Sequence, residues 1–127
     1  MKTVNCMTFW FLLAVWALVI SGCGGKKADA NKPISEVKTE AEKMDAGQLR
    51  NMAMTYKESI VAKKADLEKL AAKLKEIPIA EIMGDEAKQL KTDIDNFTKS
   101  ISALKERFEI YYQKLKEKGG DLSGLEL

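Results

Sequence analysis

From Met83 to Leu115 the apolar side chains fall at Met83, Ala87, Leu90, Ile94, Phe97, Ile101, Leu104, Phe108, Tyr111 and Leu115. The steps alternate four and three without a break, the heptad rhythm of a helix with one narrow apolar stripe. A helix cannot cover its own stripe, so the pattern demands a partner helix. One is available upstream, where Leu49, Ala53 (with Met52 beside it), Tyr56, Ile60, Lys63, Leu67, Leu70, Leu74 and Ile77 keep nearly the same rhythm. The residues between are mostly Lys, Glu, Asp, Gln, Thr and Ser. The fold class expected is all-α: an antiparallel two-helix hairpin of the coiled-coil kind over residues 35–118, with its turn at 78–84.

Punctuation between the stripes supports that reading. Lys73 and Lys75 lie where cations complement the negative end of a helix dipole. Pro78 lacks a backbone donor and pushes Ile77 out of helical geometry. Gly84 suits a left-handed stop, Asp85 a cap for the second helix, and Glu86 its first turn. That helix is expected to end with Lys114, Lys116 and Lys118 before Gly119-Gly120. Opposed pairs such as Leu70 with Leu90, Ile60 with Ile101, Tyr56 with Leu104 and Leu49 with Tyr111 follow the one register that the short turn permits. Small Ala53 and Ala87 then face large Phe108 and Leu74. Lys63 is the one cation on the stripe; its stem is expected to lie along the seam with the ammonium over Phe97.

Residues Ser35 to Met44 form a further helical stretch, with Ser35 as a candidate cap and Val37, Ala41 and Met44 on one side. Asp45 with Gln48 gives a second start signal, and Gly47 weakens the helix locally. Two arrangements satisfy this: one long helix from about residue 35 to 77, or a short extra N-terminal helix hinged near Gly47. Residues 23–34 are expected to be a flexible tether and 119–127 a flexible tail, whose Leu122 and Leu125 can fold back on the helix ends.

The first 22 residues have the character of a processing signal. Lys2 supplies a positive start, and Met7 to Ile20 is an apolar run. As a helix, about fourteen residues would rise about 21 Å, short of the roughly 30 Å hydrocarbon core. The run ends in Ile20-Ser21-Gly22-Cys23. This stretch resembles the lipobox of bacterial lipoproteins: an aliphatic residue three places before a cysteine, with small residues between. The resemblance implies that Cys23 is the lipid attachment residue, taking a diacylglyceryl thioether with palmitate among the acyl chains. It also implies cleavage on the N-terminal side of Cys23, and a location at the bacterial cell membrane. Gly24, where an aspartate would favour inner-membrane retention, implies the outer membrane facing the periplasm if the source is Gram-negative. With the signal, the resemblance extends to small lipoproteins with coiled-coil bodies.

Removing residues 1–22 takes away Lys2, Cys6, Trp10 and Trp16, leaving 20 basic against 19 acidic residues and no histidine. Near-neutral charge gives no basic face for nucleic acid. A single remaining cysteine excludes an intramolecular disulfide. With no histidine the commonest general base and metal ligand is missing, so no catalytic residue, metal ligand or cofactor is expected. Carboxylate pairs such as Asp93/Asp95 and Asp85/Glu86 read as solvated charges. Ile110 and Tyr112 point off the seam and are the candidate partner-contact residues. The expected function is that of a non-enzymatic structural or protein-interaction module of the cell envelope, bound to an envelope protein or self-associated. The alternative is a ligand-binding or accessory subunit of an envelope enzyme or transport complex.

Overall fold

A computed structural model describes residues 26–127. The described part is all-helical, with three α-helices: α1 (Ile34–Lys43), α2 (Ala46–Glu76) and α3 (Asp85–Glu117). A 3-10 turn at Ile79–Glu81 sits between the long helices. At 31 and 33 residues, α2 and α3 run about 46 and 50 Å. They pack against each other along most of their length, and α1 lies on α3.

The break between α1 and α2 decides between the two arrangements open in the sequence. Met44 and Asp45 are extended (ψ 144° and 171°), and Asp45 opens α2 with a capping box. The Gln48 amide donates to Asp45 Oδ1 at 2.8 Å, and the Asp45 amide donates to Gln48 Oε1 at 3.1 Å. Two otherwise unpaired helix-start donors are satisfied at once, so the chain stops and restarts here instead of running on. The hinge therefore falls at Met44–Asp45, just before Gly47. At the start of α1 the flanking residue is Pro33, not Ser35, and no side chain caps it.

Three other local expectations need correction. Gly84 is not left-handed (φ −70°); it is the residue before α3, with Asp85 already in the first turn. Its amide donates to the Glu81 carbonyl at 2.8 Å, and a Cβ there would stand 3.0 Å from that oxygen. The left-handed residue at a helix end is Gly119 (φ 66°), which closes α3. Its amide donates to Lys116 O and that of Gly120 to Leu115 O, both at 3.0 Å, the paired bonds of a Schellman stop. A Cβ on Gly120 would lie 2.1 Å from Leu115 Cδ1, so the buried Leu115 side chain would have to shift to admit one. Met83 precedes α3 and is exposed, so the buried stripe begins at Ala87.

The core is not spread evenly along the helix pair. Val37 and Ala41 of α1, Leu49, Met52, Ala53, Tyr56 and Ile60 of α2, and Ile101, Leu104, Phe108, Tyr111 and Leu115 of α3 form one buried cluster. Between residues 61 and 100 only Ala87 is buried, while Leu67, Leu70, Leu74, Leu90, Ile94 and Phe97 are half-buried. The same heptad rhythm thus yields a closed core at the three-helix end and a half-open seam at the far end. Lys63 Nζ stands over the Phe97 ring at 5.1 Å, where the sequence register puts it. Tyr56 meets Tyr111, with ring centroids 5.5 Å apart.

Both terminal segments, expected as a tether and a tail, make contacts with the helices. Residues 26–33 lie on the helices, as does the tail, where Leu125 is fully buried. The Leu122–Leu125 fold-back is the form the tail takes: Asp121 accepts from the Ser123 amide and hydroxyl, and the Leu125 amide donates to Leu122 O at 3.2 Å. Ala28, Ala30 and Leu122 pack against the core and Leu125 enters it, contacts that composition alone does not reveal.

Candidate functional site

Cys23, the lipid attachment residue expected from the lipobox-like stretch, lies outside the described residues. The chain enters the structure at Lys26 and is fixed at once. Asp29 and Tyr56 exchange hydrogen bonds: the Asp29 amide donates to the Tyr56 hydroxyl, which donates to Asp29 O, both at 3.3 Å. The Lys32 carbonyl accepts from Arg107 Nε at 2.8 Å and Nη2 at 2.5 Å. The third arm of the same guanidinium, Nη1, donates to Ala103 O at 2.7 Å. Arg107 is buried, and backbone carbonyls satisfy it. A guanidinium presents a planar fork of donors that an ammonium lacks, which suits this clasp.

Around the clasp sits a polar cluster. Lys32 Nζ pairs with Glu40 at 2.6 Å, and Lys26 approaches the same carboxylate at 3.9 Å. The Lys32 hydrogen bond, helped by both lysine charges and the Tyr111 hydroxyl, holds the Glu40 carboxyl below its ordinary range despite some desolvation. Burial, with Tyr56 and Glu40 nearby, pushes the Tyr111 hydroxyl well up, so it stays a donor to Glu40. Residues 26–33 form a strap that is tied at three points to all three helices. On the other flank Arg50 repeats the device for the tail: it pairs with Asp121 at 3.3 Å and donates to Ser123 O at 2.9 Å. Lys57 Nζ adds a 2.8 Å bond to Gly124 O.

The sequence did not point to Arg107 or Arg50 as anchors, although a signal was there. They are the only arginines in the chain, the remaining 19 of its 21 basic residues being lysine. Each holds one terminal segment. A residue type used twice, against a background of its alternative, marks positions where the fork geometry matters.

Ile110 and Tyr112, the candidate contact residues, are both half-buried and packed against the core. Tyr112 leans on Phe108 with ring centroids 5.6 Å apart. Ile110 lies in an open groove of about 430 Å³ between α1 and α3, rimmed by Lys38, Glu42, Glu106, Glu109 and Lys114. The structure does not bring the two into one patch: Ile110 faces a groove, Tyr112 an aromatic neighbour.

The two most exposed large apolar residues among those described are at the other end of the molecule. Ile79 is 89 % exposed and Met83 74 %, both in the turn joining α2 to α3, with Ile82 beside them at 37 %. Among the described residues no group of three or more His, Cys, Asp or Glu side chains is placed to hold a metal ion, and no helix is long and apolar enough to cross a membrane. Asp93 and Asp95 sit on the surface of α3, where Asp93 accepts a hydrogen bond from Gln89 at 3.0 Å. No family model, curated protein or solved structure matches the chain.

Proposed function

We propose that the chain is a lipid-anchored protein of the bacterial cell envelope, a non-enzymatic structural or protein-interaction module. The observation that carries this is the sequence Ile20-Ser21-Gly22-Cys23 closing an apolar run that a basic residue, Lys2, precedes. In this reading Cys23 is acylated and the body is a helical hairpin, an antiparallel coiled coil with one short helix laid across its base. The place of Lys63 over Phe97 supports the register. The exposed Ile79, Ile82 and Met83 at the turn give the hairpin an apolar tip about 45 Å from its base, fitted to meet an envelope partner or a second copy. The groove floored by Ile110 favours a second reading, an accessory subunit that binds a ligand or partner segment there.

Metabolic labelling with an alkyne fatty acid tests the first reading. The wild type is expected to take label and float with membranes, and Cys23→Ala to do neither. An unlabelled wild type overturns the anchor. The mass of the protein lacking residues 1–23, measured in solution, separates a self-associating body from one that needs another protein.

A further inference from the structure

The anchoring reading leaves open how the body sits on its membrane, and the strap bears directly on that. Lys26 is already placed on the body, in a groove with Glu40, Lys43, Gln48, Asn51 and Thr55. Segment 26–33 is tied there by Arg107, Tyr56 and Glu40. Only Gly24 and Gly25 separate Lys26 from Cys23. Three residue steps span at most about 11 Å even when fully extended.

The tail occupies the opposite flank. At 100° per residue, Gln48, Asn51, Met52 and Thr55 share one side of α2, while Arg50 and Lys57, which hold the tail, share the side facing away from it. To turn the tail toward an acylated Cys23, the leash would have to wrap half way round α2, a path of about 20 Å or more. The available chain is about half that.

We infer that the strap makes the anchor a short leash, so that the flank bearing Lys26, Lys43 and Asn51 lies against the lipid surface and the flank bearing the tail faces away. The inference rests on acylation of Cys23. Chain length sets the orientation; charge adds little, because exposed Lys26, Lys27 and Lys43 are offset in part by Asp29 and Glu36 on the same side.

The test uses the full acylated protein in vesicles of phosphatidylcholine carrying a headgroup-attached quencher. A fluorophore is placed at Asn51→Cys or at Glu126→Cys; acylated Cys23 does not react with the thiol label. Quenching at position 51 is expected to exceed that at 126 by at least about twofold, since the leash is shorter than the width it would have to round. Ten Gly/Ser residues inserted between Gly25 and Lys26 leave the packed body untouched and are expected to equalise the two positions. Equal quenching in the parent protein overturns the inference while leaving acylation standing. A contrast that survives the insertion also overturns it, because the face itself would then be binding lipid. A contrast seen in native membranes but not in pure vesicles overturns it in favour of a protein covering that flank. Absence of fatty-acid label on Cys23 removes the anchor itself, and is read separately from the quenching.

Discussion

The two ends of the long helix pair carry the same heptad pattern and are packed differently. At one end α1, the strap and the tail close over the seam, and Leu49, Tyr56, Leu104, Tyr111 and Leu115 are almost wholly buried. At the far end nothing among the described residues covers the pair, and Leu67, Leu70, Leu90 and Ile94 stay half-buried. A seam therefore specifies which residues meet, and what lies over the seam specifies how much each contact stabilises. Burial of apolar surface is the larger contribution to stability, so the three-helix end should hold the far end in place.

The largest effect expected from this contrast is in paired truncations. Leu104→Ala should cost about 3 kcal/mol or more, in the range for a fully buried leucine, whereas half-buried Leu90→Ala should cost about 1–2 kcal/mol. Urea denaturation of the two variants measures the difference, and equal costs would break the comparison.

A smaller effect should come from the clasp. Arg107→Ala removes three hydrogen bonds from a buried site and should destabilise by about 2 kcal/mol. Arg107→Lys should recover only part of that, since an ammonium cannot bridge both carbonyls with a planar fork. The matching change at the far end, Lys63→Ala, loses one exposed cation–π contact and should cost no more than about 1 kcal/mol. Thermal denaturation ranks the three variants, and a Lys63 variant weaker than the Arg107 one would reverse the expected order.

Much of the architecture can be read from the chain. The two stripes, the Pro78 break, the Asp45/Gln48 start and the place of Lys63 over Phe97 all depend on short-range spacing, which a sequence displays directly. The strap and tail do not. Their binding depends on carbonyls of Lys32 and Ser123 reaching arginines some seventy residues away, and a carbonyl has no letter in the sequence. Glycine, lysine and asparagine between residues 24 and 32 look like a linker because composition records average preference, not the partner waiting on α3. The position of Ile110 off the seam is visible in the sequence, but the groove around it exists only because α1 folds across α3.

The mildest test concerns acidity at the three-helix end. The Lys32 hydrogen bond and the neighbouring lysines hold the Glu40 carboxyl below its ordinary value of 4.5, so the folded state binds that proton less readily than the unfolded chain. The resulting stability is present above about pH 4.5 and is lost as pH falls through the lower folded value. Glu40→Gln should therefore lower stability at neutral pH and flatten its decline in acid. Denaturation curves collected down through that range, falling in parallel for the two proteins, would remove Glu40 from the account.

The Arg107 clasp also sets a load path. A pull on the strap at Lys32 reaches α3 through Arg107, about two-thirds of the way along that helix, alongside its ties to Glu40 of α1 and Tyr56 of α2. Force between the strap and the Ile79–Met83 turn would thus run through the final turns of α3 least and its first two-thirds most. Under tension the tail and the end of α3 are spared, and the half-open stretch between Ala87 and Ile101 becomes the spring.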